Sequence, residues 1–288
     1  MIRTVRAVFT ESGKNFLADE ALQLAAAISF YSLLSMAPLL LIVVAVAGVF
    51  FADDTVRTEL VAQMRDLVGE EGAAVATTVL ANAGFERGNR WSVLLGALLM
   101  IVGATTVFAQ LQAALNRVWQ VKAEPRNAIL GFLRHRLWSF ALVLSIGFLL
   151  MVSLVVSALL AALHAYLDDW AGSALVWRAL NVLVSFGMVT LLIAIIFKYL
   201  PDALIRWSDV WLGALITALL FVVGKWVIGM YLGQASIGSA FGAAGSVVVF
   251  MLWVYYASMI FLLGAEITQS VARQRGRAVV PSPHAQRA

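Results

Sequence analysis

The sequence predicts an all-α, polytopic membrane protein with six transmembrane helices and additional amphipathic helices at the N-terminus and in the first outer loop. Three observations carry that expectation. Hydrophobic residues make up 62% of the 288 and charged ones only 12%, against about 25% charged in soluble domains. The mean hydropathy of +0.92 fits a chain solvated largely by lipid. Finally, six runs with at most one charge each divide the chain, and about 20 helical residues suffice to cross a hydrocarbon core.

In order, residues 1–20 carry three basic and three acidic side chains, with Ile2, Val5, Phe9 and Phe16 on one helical face and Arg3, Arg6 and Lys14 off it. This predicts a helix lying along the cytoplasmic interface, with a solvated, partly helical tail as the alternative. The first span, 21–52, has no charge over 32 residues, far more than the roughly 7–15 residues of a signal-peptide core. Pro38 in its middle predicts a kink; Tyr31, Ser32 and Ser35 stand where they could satisfy the freed carbonyls. The connection 53–90 holds seven acidic and four basic residues, with Val56, Leu60, Met64 and Leu67, then Val75 and Val79, at helical spacing. It predicts amphipathic helices over the outer end of the bundle.

The second span, 91–116, is uncharged and ends in the polar residues Gln110, Gln112 and Asn116, followed by Arg117 and Trp119 where interfacial anchors belong. The inner connection 117–136 has five basic residues and one acid. The third span is 137–167, with His164 near its outer end and no partner at metal-ligand spacing. A short outer turn leads to the fourth span, 179–197, and an inner loop with Leu200, Pro201 and Asp202 leads to the fifth, 210–232. A glycine-rich connection, 233–245, precedes the sixth span, 246–267. Residues 1–20 thus form a cytoplasmic segment and 21–268 one transmembrane domain, while 269–288, rich in Pro and Ser toward the end, is expected to be a disordered cytoplasmic tail.

The lysine and arginine count orients this topology. Fourteen of the twenty fall on the side of the termini and five on the other, with Lys225 inside a span. The bias predicts both termini on the cytoplasmic side. Lys225 is the single charge between Asp209 and Glu266. A lysine near a helix centre costs ~2.5–3.5 kcal/mol on insertion scales, so it either snorkels or faces a polar cavity. No carboxylate lies at its depth in any span. Gly229 with Gly233, and Gly238 with Gly242, have the small-xxx-small spacing of close helix packing; Pro38 and these glycines are also the places where a broken helix would be tolerated.

The segments AAAISFYSLLSMAPLLL, ALNRVWQV, KYLPDALIRWSDVWLGALITALLF, GKWVIGMYLG and SAFGAAGSVVVFMLWVYYASMIFLLGAEIT, in this order, resemble the YihY/BrkB family of bacterial inner-membrane proteins. The resemblance runs from Ala25 to Thr268. It implies a six-helix protein of the bacterial cytoplasmic membrane, from a family long labelled ribonuclease BN, and it implies fold and location rather than an activity.

The residues argue against the nuclease label. The three histidines, 135, 164 and 284, are far apart, and the acids cluster in the outer connection, where they offer cytoplasmic RNA no metal site. No enzymatic activity, cofactor, metal or nucleic-acid partner is expected. The absence of cysteine excludes disulfides, iron–sulfur clusters and thiolate zinc sites. Two functions remain. One is a transporter or lipid-handling protein moving an anionic solute or phospholipid, with Lys225, Tyr31, Ser35, Gln112 and Asn116 along the pathway. The other is a non-transporting envelope scaffold whose polar residues hold helices together; no inverted repeat between 21–136 and 179–268 supports a standard transporter. Arg117, Lys122, Arg126, Arg134 and Arg136 form an inner basic surface suited to anionic membrane lipids, and a homo-oligomer stays open.

Overall fold

The last long helix is the one around which the others pack. The computed structural model describes residues 2–47, 53–68, 70–82, 90–123, 174–234, 245–277, 279–282 and 285–287. Its elements are α1 (Ile2–Ala18), α2 (Ala21–Ala47), α3 (Asp53–Val68), α4 (Glu70–Asn82), α5 (Arg90–Val118), β1 (Val121–Ala123), α6 (Ala174–Tyr199), α7 (Trp207–Gln234), α8 (Gly245–Gln274) and β2 (Ala285–Arg287). Helix α8 contacts α1, α2, α4, α5 and α7; α2 also packs on α5, and α6 on α7.

The fold is all-α and multi-pass. Four helical segments among the described residues are long and apolar enough to cross a membrane: Ala21–Ile42, Val182–Tyr199, Trp207–Lys225 and Gly245–Gln274. The expected count was six. The second expected span forms a helix, α5, that is not among these four, and the third, 137–167, lies outside the described residues.

Small residues set the closest helix contact. On α7 and α8, Gly213 faces Thr268 and Gly264 faces Thr217: a methyl group placed at either glycine would stand 1.7 Å from the threonine Oγ1 opposite. Each threonine donates its hydroxyl hydrogen to the glycine carbonyl one turn back, Thr217 at 2.7 Å and Thr268 at 2.8 Å. This keeps both hydroxyls satisfied in the contact. One contact further along the antiparallel pair, Gly224 receives the ring of Tyr256. Pro38 plays a similar part between α2 and α5, its Cγ 2.8 Å from where a side chain on Gly103 would begin.

The hairpin of α3 and α4 covers the far end of α2 and α8. Val56, Val75, Ala76 and Leu80 close a cluster with Met36, Leu40, Val44 and Phe250, and Leu60, Met64 and Val79 pack against it. The helical spacing of these residues in the sequence is thus the face they bury. Helix α1 keeps its expected face in part: Phe16 packs against the core, and Phe9 does not. Phe9 is exposed at 52%, while Val8 and Ser12 are buried against Ile267, Val271 and Ser270 of α8. A neighbouring helix offered a mate for the Val8–Ser12 stripe, and that outweighs the hydrophobicity of Phe9.

The tail also differs from expectation. Helix α8 runs seven residues past the expected end of the last span, and the chain beyond it is held in place. Strand β2 pairs antiparallel with β1, Val121 opposite Arg287. The amide of Leu204 donates to the carbonyl of Val280 at 2.8 Å, and that of Ser282 to the carbonyl of Asp202 at 2.9 Å. Composition alone points to disorder; backbone hydrogen bonds to partners more than seventy residues away in the chain override it.

Candidate functional site

Both ends of the chain meet at one end of the bundle, where α1, the ends of α5 and α8, the loop between α6 and α7, and the tail assemble a polar floor. Its first part is a latch. Leu200-Pro201-Asp202 follows α6, and proline ends the helix there. Asp202 Oδ2 accepts hydrogen bonds from Asn116 Nδ2 at 2.8 Å and Gln112 Nε2 at 3.1 Å, and its own amide donates to Asn116 Oδ1 at 2.8 Å. Asn116 thus reads both the backbone and the side chain of one residue. Lys198 Nζ donates to the carbonyl of Ile205 and closes the loop on itself.

The second part is an ion-pair clamp. Asp209 stands in the first turn of α7, where the helix dipole favours an anion. Its side chain is only 3% exposed and meets two guanidinium groups, that of Arg275 at 2.7 Å and that of Arg277. Gly276, at φ 69°, makes the clamp reachable. The amide of Arg277 donates to the Ala272 carbonyl and that of Gly276 to the Arg273 carbonyl, the paired bonds of a Schellman ending. This turn brings both arginines back onto Ser208 and Asp209. A cavity of about 320 Å³ lies beside it, lined by Trp119, Ile205, Arg206, Asp209, Arg277 and Val279 among others.

The third part is a set of buried polar atoms at the junction of α1 and α8. Glu266, Thr268, Gln269 and Ser270 are all fully buried. Ser12 donates to Ser270 at 3.1 Å, and Gln269 Nε2 donates to the carbonyl of Val118. Both carboxylate oxygens of Glu266, Oε1 of Gln269, Nδ2 of Asn15 and Nε1 of Trp119 have no hydrogen-bond partner among the described residues. At the rim, Arg117 pairs with Glu20 at 3.0 Å and Arg273 with Glu11 at 3.9 Å. Burial pushes the carboxyl of Asp19 above its ordinary range, opposed by Glu266, Arg117 and Arg273.

Of the residues singled out from sequence, Gln112 and Asn116 come together, with Asp202 as their shared partner. Tyr31 is half-buried in α2, its ring edge-on to Phe30, and Ser35 is buried there. Lys225 is exposed, one helical turn from the exposed Val222. It lies sixteen residues along α7 from Asp209, or ~24 Å at 1.5 Å per residue, so it does not share a site with the floor. Arg117 is at the rim and Lys122 is exposed on β1. Gly229 and Gly233 lie in α7; Gly238, Gly242, Arg126, Arg134 and Arg136 lie outside the described residues. Sequence reasoning missed Glu266, Asp19 and Asp209. An acid at the edge of an apolar run reads as the end of the span, and only the continuation of α8 to Gln274 puts Glu266 inside.

The fold and this floor define an all-α, multi-pass membrane protein. The virulence factor BrkB family matches residues 12–288, and the chain belongs to that family. A UPF0761 membrane protein of Neisseria meningitidis serogroup C is 28% identical over 271 residues, covering 92% of this chain and 63% of the relative. One from Acinetobacter baylyi is 25% identical over 90% of this chain and 60% of its own length. One from Azotobacter vinelandii is 26% identical over 91% and 62%. The chain therefore spans under two thirds of the length of these curated relatives. No solved structure matches it.

Proposed function

We propose that the protein spans the bacterial inner membrane six times, with both termini cytoplasmic, and moves an anionic lipid or related anionic solute across it. The observation that carries this reading is Lys225, an exposed cation on a membrane-crossing helix, one turn from the exposed Val222. A charge presented to lipid at that depth is costly, and an anionic headgroup is the partner that would offset the cost. Its outward-facing position favours phospholipid over a soluble anion enclosed in the bundle. The basic rim around Arg117 and Lys122 supplies a matching cytoplasmic landing surface.

One observation favours a scaffold instead. Gln112 and Asn116, polar residues a pathway would need, are engaged in holding Asp202. Purified protein in vesicles carrying a labelled anionic phospholipid separates the two. The lipid-handling reading expects transbilayer movement that drops at least tenfold in a folded Lys225→Met variant. Movement no faster than in protein-free vesicles would favour the scaffold.

A further inference from the structure

We propose that the cavity beside the Asp209 clamp receives the anionic headgroup of one phospholipid, which enters from the bilayer past Leu204 and Val280. The ligand class is shared with the function proposed above, but the residues are different and the binding needs no transbilayer movement.

The walls set what the cavity can take. Its volume of about 320 Å³ lies at the lower end of the ~300–1,000 Å³ typical of ligand sites. Most of the lining is apolar, and its charged side chains are Arg206, Asp209 and Arg277. The charge of Asp209 is already met by Arg275 and Arg277. What remains is donor capacity. Arg277 bonds to Ser208 and Asp209 through Nη1 alone, which leaves Nη2 and Nε uncommitted among the described residues. Arg206 is exposed and pairs with no acid among the described residues. The loop between α6 and α7 and the turn after α8 together bring Lys198, Arg206, Arg275 and Arg277 against Asp202 and Asp209, an excess of two positive charges. Guanidinium forks match the oxygens of a phosphate group.

The mouth points to a lipid rather than a soluble anion. Leu204 and Val280 both line the cavity and are 62% and 50% exposed. The backbone hydrogen bond between them holds two apolar side chains at one opening. Next to Arg206, the ring of Trp207 stands 6.0 Å from those of Tyr199 and Trp211, and all three residues are exposed. Tryptophan and tyrosine gather at the headgroup level of a bilayer. Arg206, the residue before Trp207, is thereby placed at that level. Leu215 and Leu219 follow Trp211 at four-residue steps on α7 and are exposed as well. Residues at this spacing share one side of a helix, so they give an acyl chain an apolar track leading away from the arginines. A phosphate at the arginines with a chain on this track is one amphiphile.

Native mass spectrometry of the full chain, delipidated in a neutral detergent and titrated with phosphatidylglycerol, counts the lipids bound. One lipid should saturate before the rest, and more tightly than phosphatidylcholine in the same titration. Arg206→Gln should weaken that lipid about fivefold, the effect of one basic group near an anionic headgroup, with the melting temperature unchanged. Val279→Phe keeps every charge and narrows the cavity, so it should weaken the same lipid at least as much. If Val279→Phe does not fold, Arg206→Gln decides alone. No first lipid in the wild type, no preference over phosphatidylcholine, or an affinity that ignores either folded variant overturns the proposal. Glycerol phosphate carries the phosphate without acyl chains. If it displaced the lipid at equal concentration, the ligand would be a soluble phosphate and the lipid source would be overturned. Nothing in this titration crosses a bilayer, so its outcome and that of lipid movement in vesicles are read separately.

Discussion

A side chain at Gly264 would begin 1.7 Å from the hydroxyl of Thr217, and one at Gly213 the same distance from that of Thr268. Neither threonine can turn away without leaving its own hydrogen bond to the carbonyl one turn back. Overpacking of this kind costs ~1–3 kcal/mol or more, so Gly264→Val should lower the melting temperature in detergent by several degrees. Gly187 has open space around it, and Gly187→Ala should leave the melting temperature unchanged. The Asp209 clamp makes a second expectation. Removing Arg277 alone leaves Arg275 on the carboxylate, whereas removing both strands a buried charge at a cost of ~3–5 kcal/mol. The double alanine variant should therefore lose more stability than the two single losses added together, as read from a double-mutant cycle of thermal melts. Asp19 makes a third. Burial raises its carboxyl above the unfolded value, so the folded state binds the proton more tightly. Its contribution to stability is full below the ordinary aspartate range and is lost as pH rises through the raised folded value. Melting temperature should fall across that window in the wild type and change less in Asp19→Asn.

Among the elements, the tail and α1 carry the most testable claims. The tail is held by β1–β2 pairing, by two backbone bonds to the Asp202–Leu204 stretch and by the Arg277 clamp. Deleting residues 279–288 removes the first two and keeps the third. The expected result is faster proteolysis and hydrogen exchange at residues 199–206, with α7 and α8 still protected; unchanged exchange there would show that the loop needs no support from the tail. Helix α1 was legible as amphipathic, and its packing face only in part. Of the stripe Ile2, Val5, Phe9 and Phe16 read from sequence, Phe16 packs on the core and Phe9 is exposed, while the neighbouring Val8 and Ser12 are set against α8. A stripe read from one helix says which residues prefer to leave water, and the partner's shape decides which of them do.

For the whole molecule, the orientation proposed from the basic-residue bias has a simple check. Single cysteines at Glu70 and Arg126 should label oppositely with an impermeant thiol reagent in intact spheroplasts, the first modified and the second protected. Labelling of Arg126→Cys alone would invert the topology. The basic surface can be read by native mass spectrometry. Neutralising Arg117 and Lys122 should reduce co-purified anionic lipid, each basic group near such a leaflet being worth about 1 kcal/mol.

Hydropathy and helical spacing were enough to determine the all-α, multi-pass class, the long helices α2, α6, α7 and α8, and the covering face of α3 and α4. These properties depend on the neighbours a residue has within its own helix and on the solvent around it. What makes the floor a site depends on residues far apart in the chain. Asn116 waits on Asp202, and Asp209 on Arg275 and Arg277. The same holds for Gly213 and Gly264, whose role appears only when α7 and α8 approach closely enough for each glycine to receive the other helix's threonine. Tertiary structure alone decided these pairings, because a polar residue at the edge of an apolar run has the same local pattern whether it meets water or a partner.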